Sequence, residues 1–212
     1  MSRQYGSIAF TADVDAGQEF YGSADFYRRA ALRGDGGKNG DPLGAREIEY
    51  LQTRDSFYLS TVGETGWPYV QFRGGPVGFV TVTDPHTISW ADYRGNLQHV
   101  STGNLRGDDR VSIIAMDYPS RSRLKLFGHA KVVRLDEDPE LVDSLRHPDD
   151  PDAIVERAIT VTVSAYDWNC PQHITPRYTH EQIATLVTPM RDRIAALELE
   201  NARLREVRTT PR

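Results

Sequence analysis

Apolar and polar residues alternate along several short runs of this chain, and glycine, proline and asparagine separate the runs. This is the pattern of half-buried β-strands. The clearest run is 158–166, where Ile159, Val161 and Val163 alternate with threonine and serine. Further runs predict strands at 57–62, 68–73, 77–83, 87–92, 110–117 and 122–135. Because short turns such as GETGW join them, the pattern predicts a meandering antiparallel β-barrel.

Helical patterns flank the predicted barrel. Apolar residues spaced by three and four predict a helix over 16–32 and a shorter one over 45–53. Prolines that open acidic segments predict two more short helices, at 139–146 and 151–157. We therefore expect a mainly β chain of the α+β class. Its predicted parts are a helical arm and loop at 1–53, a barrel domain at 54–178 and a C-terminal helix at 179–212.

Composition narrows the class of protein. The 212 residues are 39% hydrophobic, enough for one sizeable core. The net charge of −5 argues against general nucleic-acid affinity, because a phosphate backbone needs a concentrated basic surface. No apolar run approaches the roughly 20 residues of a membrane helix, and MSRQYGS lacks the apolar core of a signal peptide. With a single cysteine as well, the expectation is a cytoplasmic protein.

Metal and nucleotide motifs are weak in this sequence. The loop GDGGKNG at 34–40 lacks the residue order of a P-loop, and no apolar strand precedes it. CPQH at 170–173 offers one cysteine and one histidine, too few for a zinc site, and Cys170 fits a buried structural residue better than a nucleophile. We predict no metal and identify no catalytic acid, base or nucleophile.

Cationic and amide side chains cluster instead around the predicted strand ends. On the strand 68–73, Gln71 and Arg73 share one face. Such groups bind phosphate, and the stretch 90–133 predicts a small antiparallel barrel that holds a phosphorylated ligand. The candidate residues are Gln71, Arg73, Gly74, Tyr93, Arg94, Asn96, Gln98, Arg121 and Arg123. Alternatives stay open at three of them: Gly74 fits a turn as well as a ligand contact, and Arg94 and Arg121 fit surface ion pairs.

Four motifs occur in order: DYRGN at 92–96, GNL at 103–105, MDYP at 116–119 and LKLFGHAKVV at 124–133. Over about 57–133 the chain resembles the pyridoxamine 5'-phosphate oxidase-like, flavin-binding split barrels. DWNCPQHITPRYT at 167–179 resembles the same subgroup. The resemblance implies bound FMN, with FAD, F420 and haem as alternatives, and a homodimer with the cofactor at the interface. There Trp168 would stack on the ring, and Asn169 and Gln172 would bond its edge.

Two departures from the family pattern bear on the substrate. The true oxidases carry an Arg-Lys pair where this chain has Leu97 and Gln98, and their C-terminal arginine and histidine have no clear counterpart. Vitamin B6 oxidation is therefore not expected. Two functions remain: a flavin-dependent oxidoreductase that moves electrons from NADH or NADPH to a small acceptor, and a non-catalytic flavin-binding or sensing protein.

The tail carries a different pattern. Thr188 and Pro189 predict the start of a helix that runs to about residue 207. Its apolar face repeats every seven residues, with Asn201 at a heptad a position; the face consists of Met190, Ile194, Leu197, Asn201 and Leu204. Together with Arg193 opposite Glu198 and Glu200 opposite Arg205, this favours a short parallel coiled coil between two copies. The alternative is an amphipathic helix that lies on its own barrel.

Overall fold

The computed structural model describes residues 3–31, 40–168 and 171–209. Its strands are β1 (Ser56–Val62), β2 (Pro68–Gly74), β3 (Thr81–Asp84), β4 (Thr87–Tyr93), β5 (Arg110–Asp117), β6 (Ser122–Arg134) and β7 (Val155–Trp168). Its helices are α1 (Arg3–Ala9), α2 (Ala12–Phe20), α3 (Ala24–Ala31), α4 (Ala45–Gln52), α5 (Val100–Asn104), α6 (Pro139–Ser144) and α7 (His180–Thr209). In the described part of the chain, no helix is both long and apolar enough to cross a membrane.

All seven strands form one antiparallel sheet in the order β2-β1-β5-β6-β7-β4-β3. The sheet curls on itself: the ring centres of Phe57 on β1 and Trp90 on β4 lie 4.9 Å apart, although three strands lie between β1 and β4 in the sheet order. Its edge strands β2 and β3 do not pair with each other, so the barrel stays open along one side. We call this opening the split. The predicted antiparallel split barrel with flanking helices and a C-terminal helix is confirmed.

The alternation in the sequence explains the core. Leu59 lies opposite Ile113, and Ile113 lies opposite Leu126, so strand pairing places all three on the inner face. Each is at most 2% exposed. The intervening residues face outward and are polar or only partly buried, as on any sheet with one covered face.

The boundaries of some predicted elements are wrong. β3 begins at Thr81 rather than at residue 77. The predicted helix over 151–157 does not form, because β7 already begins at Val155. The predicted helix over 16–32 is two helices, interrupted at Gly22, whose φ of +74° suits glycine. Most of the glycine-rich loop at 34–40 lies outside the described residues.

The start of the tail helix was also predicted wrongly. α7 begins at His180, eight residues before Thr188. Its N-terminus has a reciprocal cap: the Gln182 backbone N–H donates to the Thr179 hydroxyl at 3.2 Å, and the Thr179 backbone N–H donates to the Gln182 side chain at 2.9 Å. Pro189 therefore lies inside the helix rather than at its start.

Candidate functional site

A pocket lies in the split, where the inner face of β2 approaches β4. It encloses about 190 Å³. Segments on both sides of the split and the loop before α5 contribute its walls. The lining residues are Tyr69, Gln71, Arg73, Asp92, Tyr93, Gly95, Asn96, Leu97, Gln98, His99, Val100, Ser101, Thr102, Glu156 and Arg157.

Strand register explains why β2 points Gln71 and Arg73 into this pocket. Arg73 lies opposite Phe57 and Gln71 lies opposite Leu59, and both partners belong to the barrel core. Residues directly opposite in a sheet share a face, so Gln71 and Arg73 point inward. The hydroxyl of Ser101 on α5 donates a hydrogen bond of 2.9 Å to the Gln71 side chain, which closes one side of the pocket.

A cluster of two arginines and one carboxylate forms the charged wall. Arg73 Nη1 donates to Asp92 Oδ1 at 2.8 Å, and Arg157 Nε lies 3.3 Å from Asp92 Oδ2. The side chains of Arg73, Asp92 and Arg157 are 16%, 9% and 17% exposed. Burial raises the pKa of Asp92, and the two guanidiniums oppose that shift. The contacts therefore fix the two guanidinium groups beside the Asp92 carboxylate, whose charged form is destabilised by burial.

The rim adds a second carboxylate and a third arginine. Arg94 Nε donates to Glu156 Oε1 at 2.9 Å, and Arg157 also donates to Glu156. The hydrogen bond from Arg94 lowers the pKa of Glu156. Around the pocket, the described residues thus include three arginines and two carboxylates in direct contact, which leaves one positive charge. Arg73 Nε is buried and has no hydrogen-bond partner among the described atoms. Both features favour an anion.

The loop between β4 and α5 supplies polar groups at the mouth of the pocket. Leu97 and His99 both adopt left-handed backbone conformations, with φ of 60° and 52°. Asn96 Oδ1 accepts a hydrogen bond from the backbone N–H of Gln98 at 3.2 Å, which fixes the tight turn. The Asn96 side-chain amide keeps its own donors for a ligand. The hydroxyl of Tyr93 is buried in the same region, and burial raises its pKa.

Five of the predicted site residues therefore meet in one pocket: Gln71, Arg73, Tyr93, Asn96 and Gln98. Arg94 lies on the rim, 56% exposed, in the ion pair with Glu156. A Cβ on Gly74 would come within 2.8 Å of the Phe72 ring, so the space beside this glycine is filled by its own strand. This contact supports the interpretation of Gly74 as part of a packed strand end.

The remaining arginines do not join this pocket within one chain. Arg123 pairs with Met116 on the outer face of the sheet, since its neighbour Leu124 is fully buried inside. Arg121 has a φ of 54° in the turn between β5 and β6. Neither Arg121 nor Arg123 lines this pocket.

Trp168 is part of the barrel rather than a free stacking surface. Its indole N–H donates to Glu47 Oε1 at 2.6 Å, and the Arg46 guanidinium lies 4.0 Å from the centre of its ring. Tyr50 packs edge-on against it, with the ring centres 4.7 Å apart. Gln172 is exposed, and Asn169 and Cys170 lie outside the described residues.

Sequence reasoning missed Asp92, Ser101, Glu156 and Arg157. A signal was present for two of them. Asp92 continues the inward series of Ile88 and Trp90 by steps of two, and Arg157 precedes Ile159 in the same way. A charged residue at an inward strand position is costly unless it is paired, and Asp92 and Arg157 are directly opposite each other. The wrong helix at 151–157 concealed this pair.

The family model described as pyridoxamine 5'-phosphate oxidase matches residues 46–165, more than half of the chain. The chain belongs to this family. The matched region runs from α4 into β7 and includes strands β1 to β6, most of β7 and the whole pocket. No curated protein matches the chain in sequence. In the described part of the chain, no group of three or more histidine, cysteine, aspartate or glutamate residues could hold a metal ion.

Several solved structures resemble the fold of this chain. HupZ of Group A Streptococcus is 12% identical, and the match covers 64% of this chain and 100% of that chain at a TM-score of 0.48. General Stress Protein 26 of Bacillus anthracis is 12% identical, covering 58% and 91% at a TM-score of 0.45. An F420 reductase is 18% identical, covering 57% and 95% at a TM-score of 0.41.

Proposed function

We propose that this protein is a flavoprotein that binds FMN with the phosphate in the pocket at the split. The observation that carries the proposal is the partly buried pair of guanidiniums, Arg73 and Arg157, which face each other across Asp92. Family membership supports a flavin, and the net positive charge around the pocket supports a phosphorylated one. Arginine forks hold phosphate through paired, charge-assisted hydrogen bonds.

Five residues of the pocket would bind different parts of the cofactor. Arg73 and Arg157 would bind phosphate oxygens, while Asn96 and Gln98 at the mouth would donate to phosphate or ribityl oxygens. Gln71, oriented by Ser101, would donate its amide from the opposite side. When bound, FMN supplies hydride and single-electron transfer, which no side chain here can perform.

We propose further that the holoprotein is an oxidoreductase that takes electrons from NADH or NADPH. The competing function is flavin binding without turnover. Titrations with FMN, FAD, F420 and haem identify the preferred cofactor, and steady-state consumption of NADH or NADPH then separates the two functions. Consumption with an added small acceptor supports the oxidoreductase. If FMN binds tightly but neither NADH nor NADPH reduces it, the oxidoreductase proposal fails and flavin binding without turnover is supported.

The holoprotein is expected to show negligible oxidation of pyridoxine or pyridoxamine phosphate. Leu97 and Gln98 occupy the turn where the true oxidases have a basic pair, and both lie at the mouth of the pocket. Without those cations, a second phosphorylated ligand has little to bind there. Hydrogen peroxide release measured with either substrate tests this expectation. Robust peroxide production at micromolar substrate would overturn it.

The pocket also supports a homodimer with the cofactor at the interface. About 190 Å³ is less than the roughly 300–1,000 Å³ of typical cofactor sites, so one chain encloses only part of a flavin. β2 sends Arg73 inward but leaves Val70 and Phe72, 61% and 58% exposed, on its outer face. Tyr58 lies directly opposite Phe72 and extends this apolar patch. We propose that the patch is covered by a second copy.

Replacing Phe72 with glutamate is therefore expected to weaken the contact between the two barrels and to lower the FMN affinity at least about tenfold. The pocket side chains stay unchanged, but a charge enters the apolar interface and the partner's share of the site is lost. Analytical ultracentrifugation and flavin titration measure the two effects. Phe20→Glu, at an 83% exposed position on α2, is the matched control. An undiminished FMN affinity in a folded Phe72→Glu protein would contradict the proposal.

A further inference from the structure

The tail helix leaves the barrel soon after its root. Ile174 is buried, and the Arg177 guanidinium lies 4.8 Å from the ring centre of Tyr118, so the segment before α7 is fixed to the β5–β6 turn. From His180 to Arg205, by contrast, every residue is exposed except Val187, which is partly buried. The alternative of a helix lying on its own barrel is therefore wrong for this chain alone.

The earlier helix start extends the apolar seam by one heptad. Stepping back from Met190 and Ile194 by seven residues reaches Ile183 and Val187, both inside α7. The complete seam is Ile183, Val187, Met190, Ile194, Leu197, Asn201 and Leu204, with alternating steps of four and three. Five of these apolar residues are 39–65% exposed in the single chain, namely Ile183, Met190, Ile194, Leu197 and Leu204.

Pro189 is compatible with this seam. It occupies heptad position c, which faces away from a partner in a two-stranded coiled coil. Nearby, the Thr188 hydroxyl donates to the Ala184 carbonyl and the Thr185 hydroxyl donates to the Glu181 carbonyl. α7 is continuous through Pro189, so the heptad spacing runs without a break from Ile183 to Leu204.

We propose that α7 forms a parallel, in-register, two-stranded coiled coil with α7 of a second copy, from Ile183 to Leu204. Valine and isoleucine at a, with leucine at two of the four d positions, favour two strands over three or four. Charge complementarity supports the same occupant, since Arg193 at g would meet Glu198 at e of the other helix. Extending the seam to about three heptads matters, because shorter isolated helices are marginal in water.

Asn201 favours a parallel over an antiparallel arrangement of the two α7 helices. Charges alone do not, because an antiparallel arrangement would also pair Arg193 with an acidic residue, Glu200. In an antiparallel coiled coil, however, a positions face d positions, and the register that brings Arg193 to Glu200 places Asn201 against Met190, where its amide has no partner. In the parallel arrangement the two Asn201 side chains meet and bond each other. The inference does not depend on flavin binding.

Disulfide trapping tests the register at both ends of the seam. In a Cys170→Ser background, Ile183→Cys and Leu204→Cys are each expected to crosslink to their own copy under mild oxidation, since d positions face each other in parallel pairs. Leu199→Cys is the control: it is 66% exposed but lies at f, on the far side of the helix. All three sites are exposed in the single chain, so folding should not be affected.

Efficient crosslinking at 183 and 204, with little at 199, supports the coiled coil whether or not FMN binds. If Leu204→Cys crosslinks only in a mixture with Val187→Cys, the helices are antiparallel and the proposal fails. Failure at 183 with success at 204 would overturn the added heptad. Equal crosslinking at all three sites would indicate random collision and would also overturn it. Flavin content of the same samples reports separately on the proposed function.

Discussion

Replacing Arg73 with alanine is expected to weaken FMN binding by about ten- to a hundredfold, because a charge-assisted contact to phosphate contributes roughly 1.5–3 kcal/mol. Arg73 enters the pocket from β2, is 16% exposed and has a buried Nε without a partner among the described atoms. Riboflavin carries no phosphate, so its affinity should fall far less. Fluorescence titration with both flavins measures the difference.

Two further variants keep this test interpretable. Arg134→Ala removes an arginine that is 66% exposed and ion-paired to Asp136, and it should leave both affinities unchanged. Arg73→Lys keeps the charge beside Asp92 but loses the planar fork, so its FMN affinity should lie between the two extremes. If Arg73→Ala lowers the FMN and riboflavin affinities equally in a folded protein, the phosphate does not bind at Arg73.

The Asp92→Asn variant should bind FMN about tenfold more tightly than the unaltered protein near neutral pH, a gain of ~1.4 kcal/mol. The Asp92 carboxylate competes with a phosphate for Arg73 and Arg157 and repels it. Asparagine can still accept a hydrogen bond from Arg73 without that charge. Because burial already raises the pKa of Asp92, losing the charge should cost little stability. Weaker FMN binding by this variant would contradict the competition.

The advantage of Asp92→Asn should also depend on pH. A carboxyl with a raised pKa in the folded state contributes stability that is complete below its ordinary pKa of 3.8 and is lost as the pH rises through the raised value. The unaltered protein should therefore approach the variant in FMN affinity as the pH falls through that range. Glu156, His99 and the phosphate are common to both proteins, so their effects cancel in the affinity ratio. A ratio that stays constant with pH would exclude Asp92 as the cause.

Local patterns were enough to predict the barrel. A one-residue shift in register would expose the whole inner face, so the alternation in segments such as 158–166 fixes which side of each strand is buried. The same alternation predicted that Gln71 and Arg73 share a face, and the register confirms it. Predictions failed where two local signals competed: Pro151 favours a helix start, but Val155 and Ile159 continue an inward strand series.

The charged wall of the pocket could not be derived from local patterns. Arg73 and Asp92 lie 19 residues apart, and Gln71 and Ser101 lie 30 apart, and they meet only because the sheet curls until β2 approaches β4. Leu97 adopts a left-handed conformation that leucine rarely takes, so this part of the loop depends on that packing as well. The start of α7 was predicted wrongly for a different reason. The sequence offers two helix starts, the Thr179–Gln182 cap and the Thr188–Pro189 pair, and the helix begins at the first of them.

The most direct test of FMN binding is the absorbance spectrum of the purified protein, combined with mass analysis of the small molecule released on denaturation. We expect a flavin spectrum and release of FMN at about one molecule per chain, or stoichiometric FMN uptake if the protein is purified without it. Release of another cofactor, such as F420 or haem, by a protein that does not bind added FMN would contradict the proposed FMN site.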